Sequence, residues 1–472
     1  MKIKTIINYA LGPIGAAIIS FATLPVMTWF FSQEDVGKYN FYQVYISLSI
    51  MVFSLGMHQS YVREYHEVED KDELIKAALF PGLLFILIFF LCNIITQYSI
   101  STYIFGSDSD LINYLIIIAI LLSFVINILT HVLRMQERAL AFSVSKFIPK
   151  LSFFLLILIY IIFNRDSNYY NIVYISVISL FASVVTLSYL IKTEILKAAK
   201  SRLNLKLTIK MLKFGAPLIF GGIAYWGLTA IDRVMLQYYS GYNEVALYSV
   251  ASSIASSLAI LTSIFSSIWH PQVYKWTVTG FKKEKIESIV EYLCMLIIII
   301  WCFTGLFSNL INIILPAQYE KVGVLLIGCV SMPLMYLLSE ATVIGIGISK
   351  KSWYSVLASL ISFFVNCLLN IVLIPKFMAT GAVISSVLSF LLFFTLRTEF
   401  SCYLWISIKR IKVYLNLISI TIITIINISI ELTPFVKNSL WVFQIILCLF
   451  VFHDNFINIK NEFLKFRIKK TA

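Results

Sequence analysis

The chain has 472 residues, of which 60% are hydrophobic and 13% charged, and a formal net charge of +13. So much apolar surface exceeds what an aqueous core can bury, which excludes a soluble globular protein and makes lipid the solvent for most of the chain. The positive charge follows the pattern of membrane loops, so it gives a nucleic-acid partner no support.

Apolar runs near the ~20 residues that an α-helix needs to cross ~30 Å of hydrocarbon recur from end to end. In chain order they predict spans at 9–31, 40–62, 74–98, 111–133, 143–163, 172–192, 214–239, 246–270, 287–311, 322–348, 353–374, 379–404, 414–431 and 438–455. The first follows Lys2 and Lys4, is longer than a signal-peptide core, shows no clear small-residue cleavage site, and is read as retained. Placing the N-terminus inside puts all but six of the 37 Lys and Arg residues in inner segments. The six are Lys38, Arg165, Arg233, Lys321, Lys376 and Lys437, one per outward connection except the loop near 99–110. Both termini are therefore expected in the cytoplasm, with a basic inner face suited to anionic lipid headgroups. The seven cysteines all lie in apolar runs without metal-site spacing and read as small core residues.

The longest polar interruption, KTEILKAAKSRLNLKLTIKMLK at 192–213, separates six spans from eight. Its apolar residues interleave with Lys, as in an amphipathic segment lying along the membrane surface. On either side the sequence partly repeats. GPIGAAIIS opens the first span and GAPLIFGGI the seventh, and Val36 and Tyr39 correspond to Val245 and Tyr248 at one offset, 209. RMQERALAFSVSKFI after span four is echoed more weakly by GISKKSWYSVLASLI after span ten. The expected organisation is an N-terminal lobe at 1–192, the linker at 193–213, a C-terminal lobe at 214–404, and two extra helices with a basic tail at 405–472. The fold class is an all-α polytopic membrane protein of about 14 transmembrane helices. Two parallel six-helix lobes around a central cavity are the architecture of a transporter.

IDRVMLQYYSGYNEVALYSVASSIA strongly resembles the seventh and eighth spans of the polysaccharide flippases of the MATE-like (MOP) exporter superfamily. FSQEDVGKYN in the first lobe and NCLLNIVLIPKFMATGAVISS at 366–386 match too, so the resemblance covers essentially the whole chain. Within the superfamily the chain looks most like the bacterial O-antigen and capsule flippases, often called Wzx. That resemblance implies translocation of undecaprenyl-diphosphate-linked oligosaccharide across the inner membrane by alternating access. It also implies other glycan assembly proteins, such as a polymerase and a chain-length regulator, as partners. An ion-coupled multidrug antiporter of the same superfamily and a non-transporting scaffold are the alternatives. An enzyme is disfavoured, because no outward loop exceeds roughly a dozen residues and no nucleotide-binding GxxxxGK[ST] motif occurs.

Ionisable residues at membrane depth supply the candidate site. Asp232 and Arg233 lie toward the outer part of the seventh span and point in different directions on a helix, so they need not pair with each other. They line the pathway or gate it, or else they lock the fold. Glu340 is the deepest acid, in the tenth span, where burial favours a neutral carboxyl and permits proton uptake; a carboxyl bonded to a Ser or backbone group of the next helix is the plainer alternative. His58, His131 and His270 fall toward the inner ends of spans two, four and eight. Arg63 and Arg134 follow the first two, and forked Arg donors suit a diphosphate; ordinary inner-loop anchors are the plainer reading of each position. No cofactor is expected, and any energy input comes from an H+ or Na+ gradient or from removal of product.

Overall fold

The computed structural model describes residues 3–163, 168–280 and 283–455. Arg165 and the tail cations between Lys460 and Lys470, which entered the charge pattern above, lie outside the described residues. Every regular element among those described is helical. Lipid imposes that outcome, because only a helix satisfies all its backbone donors and acceptors within one segment. Beside an apolar core, large apolar side chains also face outward and many small polar ones lie inside. Ile162, Phe163, Phe220 and Phe435 are exposed, while Ser183, Asn366, Thr398 and Asn416 are buried.

Among the described residues, twelve helices are long and apolar enough to cross a membrane, and the bent pair Gln33–Phe53 and Met57–Glu64 makes a thirteenth span. Trp353–Leu404 is two helices joined at Met378, whose φ of 52° and ψ of −131° leave helical space. The chain turns back there, since a Cβ on Gly381 would sit 2.4 Å from the Leu373 carbonyl oxygen. Counting that pair separately gives the fourteen spans that the apolar runs predict. Polar residues set several starts. Ser32, Asp70, Asn168 and Asn204 each accept hydrogen bonds from first-turn amides, satisfying donors that a helix start leaves open.

The chain packs as two units, Met1–Gln237 with Gly241–Ala246, and Tyr238–Ser240 with Leu247–Ala472. In the first, the fourth span (Asp110–Met135) is the most buried and packs against spans two, three, five and six. In the second, the tenth span (helices Val322–Cys329, Ser331–Thr342 and Ile344–Ile348) holds that place, against spans eight, nine, eleven to twelve and thirteen. Positions four and ten correspond in a six-span repeat. A matching side-chain pair marks the same repeat: the Tyr39 hydroxyl meets Ser176, and Tyr248 meets Ser386 at 3.2 Å.

The seventh span (Leu205–Ser240) packs within the first unit as far as Gln237, so the packed boundary near 246 and the sequence repeat starting near 214 divide the chain on different criteria. The break in span two explains the contact. Gly56 has φ of 67°, and a Cβ on it would lie 2.1 Å from the Gly215 carbonyl, so two backbones meet where only glycine fits. Ser60 Oγ donates to the Met211 carbonyl at 2.7 Å beside it. Spans thirteen (Ile411–Ser429) and fourteen (Pro434–Val451) are built into the second unit, with the fully buried Trp441 pressed against Gly305 of the ninth span. Arg410 pins the connection before span thirteen, its Nε and Nη2 gripping Glu399 at 2.5 and 2.7 Å. That carboxylate pushes the Arg410 guanidinium further above its ordinary value.

The repeated Gly-Pro opening of the first span has a packing reason as well. A Cβ on Gly12 would come within 2.3 Å of the Ser143 carbonyl oxygen, and the Gly12 amide donates to Ser143 Oγ at 3.1 Å. Gly12→Val therefore forces spans one and five apart. Thermal unfolding in detergent should show a loss of about 1–3 kcal/mol, whereas lipid-facing Ile18→Val, exposed in the first span, leaves the midpoint in place.

Candidate functional site

The second unit carries a cluster of charges inside its most buried helix. Glu340 is buried in span ten. Its Oε1 accepts from Arg397 Nη2 at 2.9 Å. Its Oε2 accepts from Ser266 Oγ at 3.4 Å and lies 3.3 Å from His270 Nε2. The imidazole thus stands at ion-pair distance from the carboxylate. Arg397 Nη1 also donates to Ser339 Oγ. The guanidinium carbon stands 5.1 Å from the Phe393 ring centre and 5.3 Å from that of Tyr336, a cation held over two aromatic faces. Spans eight, ten and twelve thus meet through one carboxylate.

This geometry corrects two expectations. Glu340 is not an isolated acid; a guanidinium and an imidazole face its two oxygens, and it is the counter-ion of Arg397. Arg397, counted in sequence among the cations of an inner connection, is buried inside the twelfth span. A signal existed in the sequence. Glu340 and Arg397 stand at similar depth, each roughly two helical turns before its helix ends, and opposite charges at equal depth are how a membrane protein retains either.

The first unit gathers cations. His58 and His131 have ring centres 5.1 Å apart. His131 Nδ1 lies 2.8 Å from the Asn127 carbonyl, which assigns the proton to that nitrogen. Asn127 Nδ2 in turn donates to Ser54 Oγ at 3.0 Å, while His58 Nδ1 is buried without a hydrogen-bond partner. Arg134 is exposed one turn beyond His131, and the Lys146 ammonium of span five interacts electrostatically with Arg134 and with His131. Lys146 escaped sequence reasoning because it lies on a different span from the pair. Arg63 is exposed, with its guanidinium 4.1 Å above the Phe214 ring. His270, grouped with the other two histidines by sequence depth, instead belongs to the Glu340 cluster of the second unit.

Asp232 is fully buried in span seven. Its neighbour Arg233 is half-buried, with Nη1 donating to the Thr229 carbonyl at 3.3 Å, one turn back along the same helix.

Residues 3–276, more than half of the chain, match the family described as polysaccharide biosynthesis protein. The chain belongs to that family. Among curated proteins, this polysaccharide biosynthesis protein is 25% identical over 396 residues to an uncharacterized membrane protein of Methanocaldococcus jannaschii, covering 78% of this chain and 77% of the relative. Among solved structures it is similar to the lipid II flippase MurJ in an inward closed conformation, with a TM-score of 0.69 at 14% identity, covering 97% of this chain and 100% of that one. An inward-facing multidrug resistance MATE transporter of the MOP superfamily gives a TM-score of 0.58 at 14% identity, covering 84% and 95%. The outward-facing MATE structure gives 0.54 at 14% identity over 85% and 96%. The fold of this polysaccharide biosynthesis protein is therefore the MurJ and MATE fold.

Within that fold the Glu340–Arg397 pair ties span ten to span twelve of the second unit. Losing either partner leaves a buried charge unmet, so Arg397→Met and Glu340→Gln should each lower stability by about 3 kcal/mol or more. The double variant should lose less than the two single losses added together. Thermal unfolding of all four proteins in one detergent measures this; full additivity would show that the two side chains do not interact.

Proposed function

We propose that this protein moves lipid-linked saccharide across a bacterial inner membrane. The cargo is undecaprenyl-diphosphate-linked oligosaccharide repeat units destined for O-antigen, capsule or exopolysaccharide. The observation that carries the reading is the match to the polysaccharide biosynthesis family, joined to full-length similarity with a structure whose name is lipid II flippase. The reading is a transporter rather than an enzyme, with both termini cytoplasmic as the Lys and Arg pattern suggests.

In this reading the diphosphate head enters from the cytoplasm and the polyprenyl tail stays in lipid. Arg134 and Lys146, with His58 and His131 beside them, supply cations and donors for a doubly charged headgroup, and Arg63 adds a stacked guanidinium. Alternating access of the two lobes then releases the sugar outside. The basic inner face engages anionic lipids, and a polymerase and chain-length regulator would take the product onward. A second reading, an ion-coupled multidrug antiporter, draws support from the similarity to inward- and outward-facing MATE transporters.

Deletion of the gene in its host decides between them. Loss of surface glycan with accumulation of cytoplasm-facing lipid-linked repeat units, restored by the wild-type gene, supports the flippase. Unchanged glycan together with new drug sensitivity supports the antiporter. In the first case the Arg134→Ala/Lys146→Ala double variant should restore surface glycan at roughly a tenth of the wild-type rate, the size expected for losing charge-assisted contacts to phosphate.

A further inference from the structure

The linker between spans six and seven is a strap with two unlike faces. Its first part is the helix Lys192–Lys200, which packs on span three (Lys71–Thr96), and Asn204 then caps the start of span seven at Leu205. One face is tied to the first unit. Glu194, the one carboxylate of the linker, meets Arg138 Nη1 at 3.5 Å and Gln136 Nε2 at 3.4 Å in the connection between spans four and five. Lys76 Nζ of span three donates to the Ala199 and Ser201 carbonyls at 3.1 and 2.5 Å, closing the end of the linker helix. Lys210 is taken by Glu64 of the broken second span at 2.5 Å.

The other face is turned away from the protein and is basic. Lys192, Lys197, Lys200, Arg202, Lys206 and Lys213 are all exposed, and none makes an ion pair among the described residues. Leu196, Leu205 and Ile209 stand exposed between them. Cations interleaved with projecting aliphatic side chains are what a segment lying in the headgroup layer presents.

Placement decides what meets this face. Lys76, which holds the strap, is one helical turn before Phe80 on span three, and the same stripe continues through Leu84, Leu87 and Leu91, all exposed. Large apolar side chains exposed along a membrane span face lipid tails, so the strap lies at the end of those tails, where the headgroups are. At its other end the strap runs into span seven, where Ile209, Lys213 and Phe220 share one exposed face. Two lipid-facing stripes of one unit therefore begin at the same row of cations.

We propose that the strap is a binding site for an anionic phospholipid of the inner leaflet: the phosphate lies among Lys200, Arg202 and Lys206, and the acyl chains run along the exposed stripe of span three. Cations just outside the hydrocarbon draw anionic headgroups, and the exposed leucines add apolar contact that a soluble anion cannot use. The inference deepens the reading above and rests on it for the side of the membrane that this face meets. It also gives the contact a consequence. Because the opposite face is tied to Arg138, Gln136 and Lys76, a lipid held on the strap fastens the inner ends of spans three, four and five.

The test involves no transport. The full chain is placed in nanodiscs of phosphatidylcholine alone or with phosphatidylglycerol added, and amide hydrogen exchange of peptides covering 192–206 is followed at one pH. Phosphatidylglycerol should slow exchange in the wild type about fivefold, the effect of one cation meeting an anionic headgroup. The Lys200→Gln/Arg202→Gln/Lys206→Gln variant should show no such response. The comparison is between lipids within each protein, so any change in the strap's own stability cancels. Equal exchange of the wild type in the two lipids would overturn the proposal, as would a triple variant that responds like the wild type. Inorganic phosphate added to the phosphatidylcholine nanodiscs should leave exchange unchanged; protection equal to that from phosphatidylglycerol would make this a site for soluble anions and overturn the lipid assignment. A deletion without a glycan phenotype would remove the flippase reading and leave the lipid response standing.

Discussion

A charge in hydrocarbon survives only where an opposite charge and enough donors meet it, and the second unit is organised around one such meeting. Glu340 and Arg397 come from different spans at the same depth, so each makes the other tolerable. Everything around them follows from that requirement. Ser339 takes the second guanidinium nitrogen, Phe393 and Tyr336 cover its faces, and His270 and Ser266 close on the remaining carboxylate oxygen. A helix that carries such a cluster has to sit at the centre of its unit, and span ten does.

In the first unit, close backbone contacts join several of the spans. Without a hydrophobic force between helices in lipid, close approach of small residues provides the attraction. Gly12 lies on the Ser143 backbone, Gly56 on Gly215, and Gly37 on the Tyr242 carbonyl. Each contact joins spans distant in sequence, and each would be lost to a methyl group.

Much of this was legible in sequence, for a physical reason. Membrane thickness fixes the length of an apolar run, so the fourteen spans could be read without knowing a single contact. The repeat was visible because Val36, Tyr39, Val245 and Tyr248 lie at helix starts where side-chain identity is constrained. The site was legible only in part. Glu340 stood out as a deep acid, but depth along one helix does not reveal its neighbours, so its partner Arg397 passed as a loop cation. The histidines were grouped by depth for the same reason, and lateral packing then joined His58 with His131 while placing His270 against Glu340. The break at Gly56 also escaped notice, since a glycine in an apolar run does not announce which backbone it must admit.

The turn at Met378 bears on how the protein is made. Spans eleven and twelve reverse with no loop between them, and Gly381 is already against the Leu373 carbonyl as the second helix begins. No length of chain is available for the first helix to settle in the bilayer while the second waits outside. A pair joined this tightly suits entry into the membrane as one hairpin during synthesis, so that Asn366, Asn370 and Ser385, all buried in the finished protein, need not meet lipid on a lone helix.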